Sequence, residues 1–527
     1  MKTKIISMVL VWFTIGAVAQ ETYESAQLAT EDLNGTARYI GMGGAMEALG
    51  ADISTMGTNP AGIGLFRRSW IGVSGGATIQ NGQANMNTMN GVGTDKGTTN
   101  ADLNQAGFIY SSSFSYNSHF NLGFNYRKSR NFNQIISAVN SLDGLSSSNL
   151  LSVMRYENFG ENYDNISLID HINFKALNDN LPDDPSGIYG NKKADRYNAY
   201  RENSGYIGEY DFNFSANFND RVYLGLTFGL KDVKYQSDYT YGESLVNNDG
   251  TFYGNYRFYD NREVSGTGFD LKFGAIIRPS EYSPFRFGLY MHTPTWYDLT
   301  CRGKMGAKAD DSYNKGYSYD YRILTPWRFG VSVGHTIGKI VAIGATYEYA
   351  DYSTIKNRIK TGSYTDWYTD GWYRYYDTHD TYANDIQMNN NTKSTLKGVS
   401  LVKVGIEIKP SQVLAFRLGY NYQSAIYKED GYKDSNIDAY YSDGQYYSTH
   451  DYVNWKGTNR LTFGMGFTFD KNWTLDFSYQ YAMQKGEYHP FESYKISNGE
   501  TTIYNTDTPS KVENYRHQIN ATVGYRF

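Results

Sequence analysis

The side chains that could bind a metal or carry acid–base chemistry are eight histidines, one cysteine and scattered carboxylates, and their spacing assembles no site. His119, His171, His292, His335, His379, His450, His489 and His517 are dispersed. None forms HExxH or the close pair that places two imidazoles on one helix face. Cys301 stands alone, which excludes a disulfide framework and a Cys-rich metal site. Asp310, Asp311 and Asp320 lack the ordered oxygen spacing and the glycine of a calcium loop, so they read as a solvated loop. Gly41-Met42-Gly43-Gly44 is not a dinucleotide fingerprint, because Met46 holds the third glycine position. Serines, histidines and acids are all present, but a nucleophilic triad is defined by geometry and spacing alone assembles none. The chain therefore reads as a non-enzyme with no catalytic residue, no metal and no cofactor.

The elements that carry these residues are set by composition. Of 527 residues, 40% are hydrophobic and 16% aromatic, with 51 Tyr, 53 Gly and 10 Pro. Such a chain is too polar for a bundle of membrane helices and too aromatic for disorder. Aromatic residues favour strands. A net charge of -5 without a basic block argues against a nucleic-acid partner. Residues 1–19 read as a secretory signal peptide: Lys2 and Lys4, an apolar run from Ile5 to Val18, and Ala17-Val18-Ala19 before the cut. Beyond them no apolar run approaches the ~18–20 residues of a membrane helix.

Period-two alternation then selects a membrane barrel. Leu461, Phe463, Met465, Phe467 and Phe469 alternate with small polar residues, as do Trp473 to Tyr481 and Tyr515 to Phe527. Comparable ladders run through 120–126, 212–218, 222–230, 285–291, 327–333 and 414–422. A soluble sandwich turns its apolar faces together. A barrel in lipid turns them outward and keeps Gly, Thr, Ser and Asn inside. Short turns are expected near Asn117, Asn219–Asp220, Ser280–Ser283, Ile337–Gly338, Pro410–Ser411 and Asp470–Asn472. Long polar loops are expected at 81–102, 134–203, 241–256, 304–315, 362–392, 429–451 and 490–509. Those connections imply an all-β fold: a 14-stranded antiparallel transmembrane β-barrel over residues 69–527, in the outer membrane of a Gram-negative bacterium. Its surroundings would be outer-membrane lipid. The terminal aromatic Phe527 resembles the signal read by the barrel assembly machinery.

Residues 20–68 do not alternate. They hold Gly41-Met42-Gly43-Gly44-Ala45 and Asn59-Pro60-Ala61-Gly62, small residues and turn formers suited to a compact segment packed within the barrel. Here the sequence resembles a family. Arg38 to Ala45, followed by Asn59-Pro60-Ala61-Gly62, looks like the N-terminal hatch of the FadL/TodX outer-membrane transporters. Leu324 to Gly330, Gly344 to Ser353 and Phe416 to Ser424 are similar to later strands of that family. The resemblance implies passive uptake of hydrophobic small molecules such as long-chain fatty acids. Ligand would be captured outside, held in the bore and released through a gap at a kinked strand when the hatch rearranges. It assigns hatch and gating roles to Gly41, Gly43, Gly44, Asn59, Pro60, Ala61 and Gly62. The Asn-Pro-Ala turn fits gating and simple anchoring equally well.

Two features depart from a minimal barrel. In the 134–203 insertion, Ile135, Ile136, Val139 and Leu142, then Leu150, Leu151, Val153 and Met154, then Ile166, Ile169, Ile172 and Leu177 fall at helical spacing. They are expected to form short outer helices that cap the mouth or capture ligand. The 362–392 loop presents Trp367, Trp372, Tyr373 and Tyr376 as candidate ligand contacts, and Tyr440, Tyr441, Tyr446 and Tyr447 repeat the theme. These features also suit a barrel that binds a secreted-protein partner instead of moving small molecules.

Overall fold

A computed structural model describes residues 21–80, 99–152, 154, 167–178, 193–247, 249–307, 314–370, 373–433, 448–497, 502–507 and 509–527. The proposed signal peptide, Trp372, Asp310, Asp311 and Tyr440 to Tyr447 lie outside them. Fourteen antiparallel strands form one sheet. They are β1 (Trp70–Gln80), β2 (Thr99–Ser115), β3 (Ser118–Asn131 and Gln134–Ser141), β4 (Lys193–Phe218) and β5 (Val222–Val246). Next come β6 (Phe252–Ile277), β7 (Arg286–His292 and Trp296–Ala307), β8 (Asn314–Leu324 and Arg328–Ile337) and β9 (Val341–Asp351 and Lys356–Asp370). The last are β10 (Tyr373–Asn384 and Gly398–Ile408), β11 (Leu414–Gln423), β12 (Tyr452–Phe469), β13 (Trp473–His489) and β14 (Ser510–Arg526). Each pairs with its sequence neighbours. β14 pairs back onto β1 from Trp70↔Arg526 to Gln80↔Arg516, closing the cylinder.

All six expected short turns fall between strands. Two of them, Asn219-Asp220 and Asp470-Lys471, have both residues at positive φ, the backbone that lets a tight turn follow the right-handed strand twist. Five strands are interrupted. In β7 and β8 the breaks are Thr293-Pro294-Thr295 and Thr325-Pro326-Trp327. Proline offers the ladder no N–H there, and beside each proline a threonine hydroxyl accepts a backbone N–H across the break. Thr293 Oγ1 accepts from Leu271 N at 3.0 Å, and Thr325 Oγ1 accepts from Thr295 N at 2.8 Å.

The strands are far longer than a membrane requires. β4, β5 and β6 have 26, 25 and 26 residues, which at ~3.3 Å per residue is about 85 Å, against an apolar band about 25 Å tall. On β5, β6 and β8 the hydrophobic phase inverts partway along the strand. On β5 the outward residues Val222, Leu224, Phe228 and Leu230 are exposed, while Tyr223, Thr227 and Lys231 face inward and are buried. Beyond Lys231 the outward residues become Lys234 and Gln236, and the inward ones Val233, Tyr235, Tyr239 and Tyr241. β6 does the same. Phe269, Phe273 and Ile277 are exposed, then Glu263 and Asn261 face out over buried Val264, Phe258 and Tyr256. On β8 the change falls at its break, with Trp327, Phe329 and Val331 exposed on one side and Tyr317, Tyr319, Tyr321 and Ile323 buried on the other. The first zone suits lipid outside and a polar interior. The second suits water outside and an apolar core. An even-stranded closed barrel with this band is an outer-membrane barrel.

The second zone revises two expectations. Residues 134–141 are strand, paired with β4 from Gln134↔Asn203 to Ser141↔Arg196, so Ile135, Ile136 and Val139 are not helical. The connections expected at 241–256 and 362–392 are also largely strand. Inward tyrosines alternating with outward polar residues carry no apolar ladder, so the sequence pattern resembles loop. The rest of the insertion does hold helix, a turn at Ser147–Leu151 and Leu168–Asn178. Leu151, Met154, Leu168, Ile169, Ile172 and Leu177 are buried. All but Met154 share the upper core with the strand tyrosines, so among the described residues this helical face is packed inward.

Candidate functional site

Residues 21–68 lie against inward-facing groups of strands on every side of the barrel. Their short elements are α1 (Thr22–Ala29), α2 (Ala37–Gly41), and 3-10 turns at Ile53–Gly57 and Pro60–Leu65. Thr36, Asp52 and Asn59 each accept a backbone N–H of the turn they precede, the usual work of an N-cap.

The backbone of Gly41 to Ala45 rests flush on the wall. Gly334↔Gly344, Gly344↔Gly405 and Gly405↔Gly419 are cross-strand partners, a row of four glycines across β8 to β11. A Cβ on Gly344 would stand 2.1 Å from Ala45 O, on Gly405 2.2 Å from Met42 O, and on Gly419 2.1 Å from Gly43 N. Gly43 and Gly44 have φ of 63° and 78°, a conformation that costs glycine little. Asn421 Nδ2 donates to Gly43 O, and Thr462 Oγ1 to Gly41 O. A second cradle holds the Asn-Pro-Ala turn. Gly225 and Gly274 pair across β5 and β6, and a Cβ on either would meet Pro60 or Asn59 at 2.3 Å or less. Asn59 is fully buried, donating from Nδ2 to Glu47 O at 3.0 Å and accepting from Ala61 N at 3.2 Å. Ser215 Oγ donates to Pro60 O at 2.8 Å. Gly62 would strike Thr55 if enlarged. Of the glycine contacts, the sequence marks as hatch positions those on the segment's own side. The partner glycines sit mid-ladder, where glycine weakens a strand and marks a close approach, and that was the available signal.

Charge fills the bore around these seats. Glu31 meets Arg127, Lys231 and Arg328 at 3.4, 3.2 and 3.1 Å. Lys272 contacts Glu209, Asp211 and Asp270 at 2.5, 2.9 and 2.8 Å. Glu47 binds Lys403 at 2.7 Å, and Arg38 binds Glu407 at 3.1 Å. Such buried pairs lose heavily when one partner is removed. Cavities of about 90 and 60 Å³ lie beside these groups.

Among the described residues, the larger cavity reaches the place where the β2–β3 ladder stops and only side chains, Asp102 with Lys128 and Asn131, still join the two strands. β2 and β3 pair from Ser115↔Ser118 to Gln105↔Arg127 and no further. The upper piece of β3 pairs only with β4 among the described residues. On the opposite flank, among the described residues, β14 pairs with β1 from Arg516 onward. The cavity runs from Ala26 and Gln27 of α1 to Asn131, Phe132 and Asn133 at the interruption, and to Asn514 and Arg516 on β14.

The aromatic rim is separate from this site. Tyr376 is 68% exposed on the ribbon formed by the outer pieces of β9 and β10. Trp367 and Tyr373 lie on the same ribbon, in the register Trp367↔Tyr376 and Asp370↔Tyr373. Phe527 is exposed, with its N–H donating to Ser69 O. One arrangement was not legible in the sequence. Ser147 Oγ lies 2.8 Å from His450 Nδ1, and His450 Nε2 lies 2.9 Å from Asp170 Oδ1. All three are buried, and none lines either bore cavity. They clasp the cap helices to the loop before β12, and a hidden Ser147 is not placed to attack a substrate.

No family model matches the sequence, and no curated protein does. Solved structures are similar to it at low identity. A Pseudomonas aeruginosa FadL homologue is 11% identical with a TM-score of 0.49, covering 94% of this chain and 99% of its own. The Ralstonia pickettii toluene transporter TbuX is 13% identical at 0.46, covering 94% and 99%. The Pseudomonas putida toluene transporter TodX is 11% identical at 0.46, covering 94% and 98%.

Proposed function

We propose that the chain carries hydrophobic small molecules, long-chain fatty acids among them, passively across the outer membrane, with residues 20–68 as the hatch. The observation that carries this reading is the end of the β2–β3 ladder beside Asn131–Gln134, which a cavity joins to α1. A bore filled with paired charges gives a water-soluble solute no straight path, whereas an apolar one can leave sideways into lipid. Partitioning supplies the drive, since each buried CH₂ is worth about 0.8 kcal/mol. In this reading the Asn-Pro-Ala turn and Gly41–Ala45 anchor the hatch, and α1 is the part that yields. The test is extraction of the purified barrel and mass spectrometry of what it holds, with uptake measured for Asn59→Ala/Pro60→Ala. An apolar ligand and altered uptake are expected; an empty barrel with unchanged uptake at normal surface abundance refutes the proposal.

The packed mouth favours a second reading, a barrel that binds a secreted protein. Its cap helices and inward tyrosines share one core. Co-purification with a secreted protein and no apolar ligand would select it.

A further inference from the structure

The turn side of the barrel carries charge mostly of one sign. Residues 67–69, 219–221, 278–285, 338–340, 409–413, 470–472 and 526–527 hold eight basic side chains and three acidic ones, in a chain with 49 basic and 54 acidic residues. The bias is therefore local. It is also spread round the rim, because five of the six turns carry a base. Arg68, Lys339 and Lys471 are exposed and make no side-chain hydrogen bond or ion pair among the described residues. The bases stand at the edge of the lipid-facing band. Lys339 lies between Ile337 and Ile340, which are 56% and 58% exposed, and Lys471 between Phe469 and Trp473, at 49% and 48%. Aromatic rings at that depth mark the headgroup level, and Lys or Arg stems reach from apolar surface into it.

We propose that this rim binds the phosphate diesters of anionic phospholipids in the leaflet facing the periplasm. A leaflet surrounds the barrel on all sides, as the bases do, whereas a docked acidic protein would meet one sector. The inference rests on the outer-membrane orientation and is independent of what the barrel transports. The test uses the full chain in detergent, with folding checked by its heat-dependent gel mobility, so a failed barrel is seen separately. Native mass spectrometry then compares retention of phosphatidylglycerol and phosphatidylcholine of equal chain length. Preferential retention of phosphatidylglycerol is expected. It should fall about fivefold for each base removed in Arg68→Gln, Lys339→Gln and Lys471→Gln, and glycerophosphoglycerol should not compete. Equal retention of the two lipids overturns the proposal, as does an undiminished preference in the folded triple variant. Competition by the soluble headgroup would make the rim a free-anion site, and capture of an acidic protein without lipid preference would make it a protein interface; either result also overturns it.

Discussion

Gly344 and Gly405 pay the entropic cost of glycine in a strand because the backbone of Met42 and Ala45 occupies the space a side chain would fill. Gly344→Val should therefore lift Gly41–Ala45 off the wall while leaving the β8–β9 ladder, which valine favours. The expected outcome is steady ion current in planar bilayers where the parent chain passes almost none. Unchanged conductance would show that the segment does not seal the bore. Asn59→Ala asks a different question, since it removes an acceptor from Ala61 N and a donor from Glu47 O in a fully buried position. Unsatisfied buried groups cost about 1–3 kcal/mol, so the temperature at which the folded band disappears on a gel should fall, with Asn59→Asp intermediate. At this scale the sequence disclosed one half of each contact. Gly43 and Asn59 stood out in a segment without alternation, whereas Gly344, Gly405 and Gly274 lay hidden inside strands. Glu31, Arg127 and Lys272 are near one another only because the barrel closes.

At the scale of elements, an interruption matters when the ladder beside it ends. The breaks in β7 and β8 are bridged by threonine hydroxyls, but at Phe132-Asn133 the β2 ladder has already stopped. Deleting Phe132 and Asn133 removes two residues, which preserves the in–out parity of β3 and would extend its first piece into its second. Uptake of a labelled fatty acid should then drop while surface abundance holds; full uptake would place the exit elsewhere. The start of α1 is held by charge. Burial would raise the Glu21 carboxyl, but the buried Lys433 ammonium holds it down at about 2. A depressed carboxylate stabilises the folded state above its ordinary value of 4.5, and that contribution is lost as pH falls toward 2. Protease cleavage within residues 21–35 should rise across that window in the parent chain and much less in Glu21→Gln. The turns and lipid-facing ladders were legible beforehand because each is local. The strand at 134–141 was not, because four apolar residues at mixed spacing fit a helix as well as a strand whose partner lies some sixty residues away.

For the whole molecule, the phase inversion makes one barrel into two environments sharing a wall. A sequence reading that takes apolar residues as outward holds for Val222 to Leu230 and fails from Val233 to Tyr241, because the solvent changes from lipid to water while the backbone continues. Substitutions along a single face of β5 can locate that boundary. Leu226→Lys puts a charge into the apolar band and should cost up to about 2–4 kcal/mol, shrinking to about 0–1 near the interface, so Leu230→Lys should cost less than Leu226→Lys. Gln236→Leu, on the same face but above the change, should leave unfolding in urea with bilayer vesicles nearly unmoved. Tyr239→Lys, inward at that height and buried, should destabilise strongly through loss of the upper core, the reverse of what a uniform lipid-facing barrel predicts. A penalty that is the same from position 224 to position 236 would mean the outward face meets one solvent along its length. In that case the tyrosine-filled upper barrel, and the inward-packed helical face built on it, would have to be abandoned.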